Sequence, residues 1–564
     1  MAFHGLSRAA TFVLPMGTPA RSDQGWTRGM PPPSVRPATL AVARRSSSFL
    51  GVRAVGTAVA AAANVVTALP LPAAGGLRCA SASATAVNPV QQSPQPSGGD
   101  QVQSEPVGAA DPEATVAAYL RDGKPVGPAA QETVELAGLA ALVSAEPNGA
   151  STLRAAAVAE GGMQTRAVHG GERVKGGKKA RATLDAIATP IVQSSTFTFR
   201  STRECIEYNQ GTYESFEYGR YGNPTARAVE EKLMALEGGE DALVSSSGMN
   251  AVTTMLLALV PENGHIVVTT DCYRRTRQFV GTVLPKMGVR TTVVDPADTA
   301  RLEAIFASEG ASLFFSETPT NPLIRVLDTD AVTGLCRKYG VTSVIDTTFA
   351  TAYNFRAIDH GADLVLHSGT KYLAGHNDVL CGALVGSSAL INPVRRLHGV
   401  LGGVLDPHAA FLLLRGLKTL SLRMAAHNRN AQALADVLST HPEVAKVHHP
   451  SLKSHVDHEV AMQQFPRGFG GVLSFELVGD GNPWSQETFE ATGRFVDALR
   501  LPYIGPSMGG TESLIEQVCI MGYFDQPLRE RQRLGICNGL VRFACGIEDT
   551  KDVVDDVLQA LDAA

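Results

Sequence analysis

The segment Asp330-Ala331-Val332-Thr333-Gly334-Leu335-Cys336-Arg337-Lys338-Tyr339, followed after one glycine by Val341-Thr342-Ser343-Val344-Ile345-Asp346, decides the fold. The first stretch reads as a helix. The second is a short β-rich run that ends on a carboxylate. The alternation extends in both directions. Short β-rich runs occupy 241–245, 265–270, 291–295, 312–316 and 363–368, with further helical stretches at 250–260 and 299–308. Strands alternating with helices predict an α/β fold with a doubly wound, mostly parallel sheet. Ligands in such sheets sit beyond the carboxyl ends of the strands. Polar residues gather at those ends: 245–247, 271–275, 317–321, 346–348 and 368–371. Farther on, 410–427 and 430–440 read as helical, 472–477 and 538–544 as strands, and 550–564 as a final helix. This predicts a smaller C-terminal α+β domain, 408–564, closing over a large domain with its N-terminal arm, 165–407.

Composition excludes several classes. The 564 residues are 44% hydrophobic, enough for a large core. A net charge of −5 argues against a nucleic-acid partner. No run is long and apolar enough to span a bilayer; the nearest, 54–74, is broken by Asn64, Pro70 and Pro72. The eight cysteines show neither a CxxC pair nor metal spacing, so scattered reduced thiols are expected. Residues 1–80 are a different kind of sequence: the basic residues are arginines, the only acid is Asp23, and Ser, Ala and Pro fill much of the rest. That is the composition of an organelle transit peptide. Residues 81–164 turn acidic and Gln/Pro-rich, as in a linker or loose extension, with a short helix expected at 132–144.

The chemistry centres on His367-Ser368-Gly369-Thr370-Lys371-Tyr372-Leu373-Ala374-Gly375-His376, a turn after the run 362–366. A lysine among small hydroxyl residues at a buried strand end suits an amine that attacks a carbonyl, with a phosphate bound beside it. Pyridoxal phosphate (PLP) makes a set of demands that the chain meets in order. Lys371 is the candidate Schiff-base lysine. Asp346 offers a carboxylate to the pyridinium nitrogen. Tyr273 can stack on the ring. Ser247-Gly248-Met249 stands where a strand enters a helix, so its N–H groups can face a phosphate. Ser368 and Thr370 add hydroxyls. Singly these signals are weak: Asp346 could cap a helix, and Tyr273 could be packing. Ser-x-x-Lys also marks serine β-lactamases, but their Ser-Asp-Asn and Lys-Thr-Gly partners are missing; only Lys418-Thr419-Leu420 comes near. The constellation carries the case.

From about residue 165 to 564 the chain resembles the PLP-dependent Cys/Met-metabolism enzyme family, fold type I. The carrying motifs are Tyr218-Gly219-Arg220-Tyr221-Gly222-Asn223-Pro224-Thr225, Ser247-Gly248-Met249, Glu317-Thr318-Pro319-Thr320-Asn321-Pro322, Asp346-Thr347-Thr348-Phe349-Ala350, Ser368-Gly369-Thr370-Lys371-Tyr372 and Arg415-Gly416-Leu417-Lys418-Thr419-Leu420. Phe216-Glu217-Tyr218, Asp271-Cys272-Tyr273-Arg274, Gly375-His376-Asn377-Asp378 and Ala544-Cys545-Gly546-Ile547-Glu548-Asp549 make it most similar to the plant and algal members.

The resemblance implies a seven-stranded-type sheet in the large domain. It implies that Lys371 holds the cofactor and moves protons. Asp346 would pair with the ring nitrogen near Thr348, and Tyr273 would stack and assist acid–base steps. Gly248, Met249, Ser368 and Thr370 would bind the phosphate. Tyr218 and Arg220 would reach that phosphate from a neighbouring subunit, implying a homo-oligomer, a tetramer built as a dimer of dimers. Asn321 would lie near the ring hydroxyl and the substrate. Arg542, assisted by Ser507, would grip the substrate α-carboxylate. Arg275 stands where plant members carry a lysine that contacts a leaving phosphate, and arginine keeps the charge in altered geometry. Thr347 replaces an asparagine common after the cofactor aspartate, and Pro506 replaces a glutamate of bacterial members. The activity implied is γ-replacement: an activated homoserine ester, with O-phosphohomoserine as implied donor, and L-cysteine give L-cystathionine. γ-Elimination and sulfhydrylation share nearly all these residues and stay open here, as does a catalytically silent scaffold. The plant-type resemblance and the N-terminus imply import into the plastid stroma.

Overall fold

The computed structural model describes residues 158, 160–171 and 186–563. The expected transit peptide, Cys79, the 132–144 helix and almost all of the 81–164 extension lie outside the described residues. The described chain belongs to one compact unit.

Seven strands form the large sheet: β1 (Asp241–Ser245), β2 (His265–Thr269), β3 (Arg290–Val294), β4 (Leu313–Glu317), β5 (Thr342–Asp346), β6 (Leu364–His367) and β7 (Gly382–Gly386). Their spatial order is β1-β7-β6-β5-β4-β2-β3. Neighbours from β3 through β6 run parallel, while β7 is antiparallel to both β1 and β6. The inner parallel strands β2, β4, β5 and β6 are largely buried on both faces, as such sheets require, whereas the edge strand β3 is mostly exposed. Alternation assigns each residue its layer. Leu243, Leu313 and Phe315 pack with Val252, Met255 and Leu256 of helix Gly248–Leu259. Phe314 and Ile345 pack on the other face with Leu302, Ile305 and Val332, from helices Thr299–Ser308 and Thr329–Tyr339.

A second, five-stranded sheet holds β8 (Val444–His448), β9 (Val472–Leu477), β10 (Tyr503–Ile504), β11 (Leu514–Gln517) and β12 (Leu540–Ala544), in the order β10-β11-β12-β9-β8. Its core includes Phe475, Phe543 and Ile515, packed on Leu434, Phe495 and Val557 from three helices. The expected 410–427 helix is two helices, Pro407–Lys418 and Leu420–Leu438, that meet at Thr419, and the second absorbs most of the expected 430–440 helix. Asp406 caps the first, accepting from His408 N and Ala409 N, with Pro407 opening the helix. Leu413 and Leu417 of that helix pack with Leu233 and Leu236 in the large sheet's core. The long second helix touches both cores: Leu420 and Met424 lie in that same core, Leu434 and Leu438 in the core of the small sheet. The expected domain boundary at 407/408 therefore falls where the chain still packs on the large sheet.

Of the expected strands, 472–477 is reproduced to the residue, as are β1 and helix Thr299–Ser308. β7, β8, β10 and β11 were not expected. The β7 run Gly382-Ala383-Leu384-Val385-Gly386 is bracketed by glycines and reads as a loop. Among the described residues the cysteines are all free thiols, and no helix is long and apolar enough to cross a membrane.

Candidate active site

The carboxyl ends of β2, β4, β5 and β6 deliver their side chains to one cavity of about 440 Å³. It is lined by twelve of the fourteen expected site residues: Lys371, Tyr273, Asp346, Thr348, Gly248, Met249, Ser368, Thr370, Asn321, Arg542, Ser507 and Arg275. Tyr218 and Arg220 are elsewhere. Arg220 donates to Gly399 O at 2.8 Å and its guanidinium lies 5.2 Å from the Tyr218 ring centroid. Neither residue lines the cavity of its own chain.

Lys371 leaves β6 through a tight turn. Its Nζ donates to Ser507 Oγ at 2.6 Å. Burial lowers its pKa from the ordinary 10.5 to about 8; the Arg542 charge adds to this and Glu516 opposes it. The turn is held from behind by Arg423, whose Nη1 donates to Tyr372 O at 2.7 Å and whose Nη2 donates to Gly416 O at 2.8 Å. Ser507 approaches because Gly509, at φ +79°, can pass the turn: a Cβ there would lie 2.6 Å from Tyr372 N. Ser507 itself sits at φ +110°, a strained conformation for a non-glycine residue. It is pinned by Lys371 on its hydroxyl and by Arg542 Nη2 on its carbonyl, at 2.9 Å.

Asp346 ends β5 facing the cavity. Its Oδ1 accepts from Thr348 N at 2.9 Å and Thr348 Oγ1 at 2.5 Å. Thr348 Oγ1 in turn accepts from Ser368 N at 2.8 Å, which ties the aspartate to the lysine turn. Burial raises the Asp346 pKa even though both Thr348 bonds pull it down. Beside it, Glu317 ends β4 as the register partner of Asp346. Glu317 accepts from Tyr273 N, and so fixes the backbone of the expected ring cover. Burial drives its pKa well above the carboxylate range, and the Asp346 charge adds to the rise. Glu317 stands inside a motif quoted above without a role. The signal that could have found it is its place, one strand over from Asp346 at an equivalent strand end.

The residues fit PLP. Two carboxylates withdrawn from water side by side call for a cation, which a pyridinium supplies. The N-terminus of the twelve-residue helix Gly248–Leu259 opens on the cavity, capped by Ser247 Oγ on Asn250 N at 3.1 Å. Positive partial charge and free N–H groups there suit a phosphate. The cradle is built for close approach: a Cβ on Gly248 would lie 3.0 Å from Ser368 Cβ. Thr370 is also engaged structurally, its hydroxyl accepting from Cys381 N at 3.0 Å.

On the opposite wall, Arg542 projects from β12 and is 4% exposed. Its Nη1 donates to Asn321 Oδ1 at 3.2 Å and pairs with Glu516 Oε1 at 3.1 Å. Glu516, on β11, also lines the cavity and was not expected. Arg275 is exposed at the rim and donates to Gln278 Oε1 at 2.9 Å. Its neighbour Arg274 instead holds the far rim, donating to Gly522 O at 2.6 Å and to Asp525 Oδ2 at 2.5 Å. The set combines a neutralisable amine, an electrostatic seat for a cationic ring, a phosphate cradle and a buried guanidinium.

The chain is similar to known proteins over most of its described length. The family described as Cys/Met metabolism PLP-dependent enzyme matches residues 167–562. "Cystathionine gamma-synthase 1, chloroplastic" of Arabidopsis thaliana is 52% identical over 396 residues, 70% of this chain and 68% of that protein. Its namesake from Nicotiana tabacum is 50% identical over 397 residues, 70% and 71% of the two chains. The crystal structure of cystathionine gamma synthase from Xanthomonas oryzae pv. oryzae, in complex with aminoacrylate and cysteine, superposes with TM-score 0.64 at 34% identity, covering 72% of this chain and 98% of that one. With a family model matching 167–562 and relatives about half identical over the same stretch, the chain belongs to the Cys/Met metabolism PLP-dependent enzyme family.

Proposed function

We propose that this chain is a cystathionine γ-synthase, which joins an activated homoserine ester, O-phosphohomoserine as the favoured donor, to L-cysteine and yields L-cystathionine for methionine biosynthesis. The observation that carries the reading is the cavity itself, which Lys371, Asp346 and Arg542 line together. The plant relatives named above support the choice of reaction.

When bound, PLP supplies an electron-withdrawing ring that stabilises charge at the substrate carbons. The protein supplies the rest. Asp346, steadied by Thr348, keeps the ring nitrogen protonated. Tyr273 covers the ring, with its backbone fixed by Glu317. Gly248, Met249, Ser368 and Thr370 cradle the phosphate. Lys371 would hold the cofactor and, as a free amine, would carry protons between neighbouring substrate carbons, a task for an amine poised near neutrality. Arg542 and Ser507, with Asn321, orient the α-carboxylate by a two-pronged contact. Arg275 meets the leaving phosphate at the rim. Tyr218 and Arg220 complete the phosphate site of a neighbouring subunit, so the working form is a homo-oligomer, a tetramer assembled from dimers. Residues 408–564 act as the closing domain. The chloroplastic names of the plant relatives support a plastid location, with residues 1–80 as the import signal and the stroma as destination.

The assignment is tested with purified enzyme: O-phosphohomoserine plus cysteine should give cystathionine, and release of a keto acid from cystathionine with no synthesis would contradict it. A neutral amine is the reactive form and exists above its pKa. Cofactor uptake by the apoenzyme should therefore quicken as pH rises and level off above about 8; a midpoint near the ordinary lysine value of 10.5 would show that burial does not tune Lys371. Sharing of sites between subunits is tested by co-expressing Lys371→Ala with Arg220→Ala, each inactive alone. Mixed dimers carry one intact site in two, so about a quarter of parental activity should return. No recovery would place Arg220 outside the neighbour's site.

A further inference from the structure

Arg542 is paired along one edge and carries an unpaired N–H on another. Nη1 meets Asn321 and Glu516, at 3.2 Å and 3.1 Å, while Nη2 donates to Ser507 O at 2.9 Å. Nε is buried and has no hydrogen-bond partner among the described residues. A buried guanidinium N–H without an acceptor is costly, and it marks where an acceptor belongs. A carboxylate on Nε and the second Nη2 hydrogen would complete the fork.

Glu516 occupies the other side. It is the antiparallel cross-strand partner of Arg542 in the β11–β12 pair and is 5% exposed, so the contact is built into the sheet. Burial raises its pKa, whereas the neighbouring Arg542 and Lys371 charges lower it. A carboxylate buried beside the cation meant for another carboxylate has two consequences. It fixes which edge of the guanidinium is presented. It also opposes the incoming charge, because two anions then share one cation.

We propose that Glu516 is a positioning residue that sets both the geometry and the affinity of the α-carboxylate site: it holds the Nη1 edge of Arg542, leaves the Nε–Nη2 edge to the substrate, and competes with the substrate carboxylate for the guanidinium charge. The proposal rests on the reading of Arg542 as the carboxylate clamp. It makes the site deliberately modest in affinity, so that bound amino acids, product included, can leave.

The test uses the holoenzyme and two inhibitors that differ by a carboxylate, L-alanine and ethylamine. Glu516→Gln keeps the hydrogen-bond acceptor and removes the charge. It should bind L-alanine about fivefold tighter and ethylamine as the parent does. The KM for the homoserine ester should fall without a rise in kcat. Glu516→Asp keeps the charge and should return L-alanine affinity toward the parental value. Should Glu516→Gln fail to fold, Glu516→Ser carries the same expected sign. Unchanged or weaker L-alanine binding in the neutral variants, or an equal shift for both inhibitors, would overturn the proposal. Arg542→Ala separates the two readings: it should abolish the preference for L-alanine over ethylamine, and a retained preference would sink the clamp reading whatever Glu516 does.

Discussion

Two carboxylates end adjacent parallel strands at the same register step, and the rest of the site follows from that placement. Glu317 and Asp346 are register partners on β4 and β5. Each is pushed toward the neutral form by burial, and the Asp346 charge adds to the rise at Glu317. Two carboxylates so placed favour a shared proton or a neighbouring cation. The protein spends its local donors on holding them in place, Thr348 on Asp346 and Tyr273 N on Glu317. Lys371 and Arg542 line the same cavity, and a protonated pyridine ring seated against Asp346, as proposed above, would bring a cation directly onto the pair. In that proposal the cofactor is the counter-ion of the sheet edge.

Around that seat the charges are arranged in opposition. Lys371 is brought toward neutrality by burial and by Arg542, with Glu516 pulling the other way. Arg542 is desolvated yet kept charged by Glu516. Ser507 ties the two cations together, accepting from Lys371 on its hydroxyl and from Arg542 on its carbonyl. Its strained backbone is the cost of that double contact. The large sheet thus carries Asp346, and the small sheet carries Arg542. The lysine turn is shared between them, braced by Arg423 from the helix that enters both cores.

Much of this was legible in the sequence because the parallel strands are short apolar runs that finish on polar residues. Asp346 and Lys371 stand out since each follows such a run where a charge is expensive. Other parts were hidden for physical reasons. β7 is framed by Gly382 and Gly386, and both glycines are required: a Cβ would lie 2.2 Å from Ser247 O at the first and 2.5 Å from Leu364 Cδ2 at the second. Required glycines imitate a loop. The break at Thr419 was invisible because apolar residues continue across it. Glu516 gave no signal, since its partner Arg542 is joined to it through the sheet and not through the sequence. Tyr218 and Arg220 could be placed only by family resemblance, and a single chain leaves them outside its own cavity.

The proposed seat implies that the Glu317–Asp346 pair destabilises the apoenzyme and that a cationic ring relieves it. It is tested most directly by urea unfolding of Asp346→Asn with and without cofactor. A ligand that binds only the folded state stabilises it according to its affinity. The account predicts that the apoenzyme of Asp346→Asn unfolds at a higher urea concentration than the parental apoenzyme, and that added cofactor raises its midpoint far less than it raises the parent's. A variant apoenzyme no more stable than the parent, together with an undiminished gain from the cofactor, would contradict it.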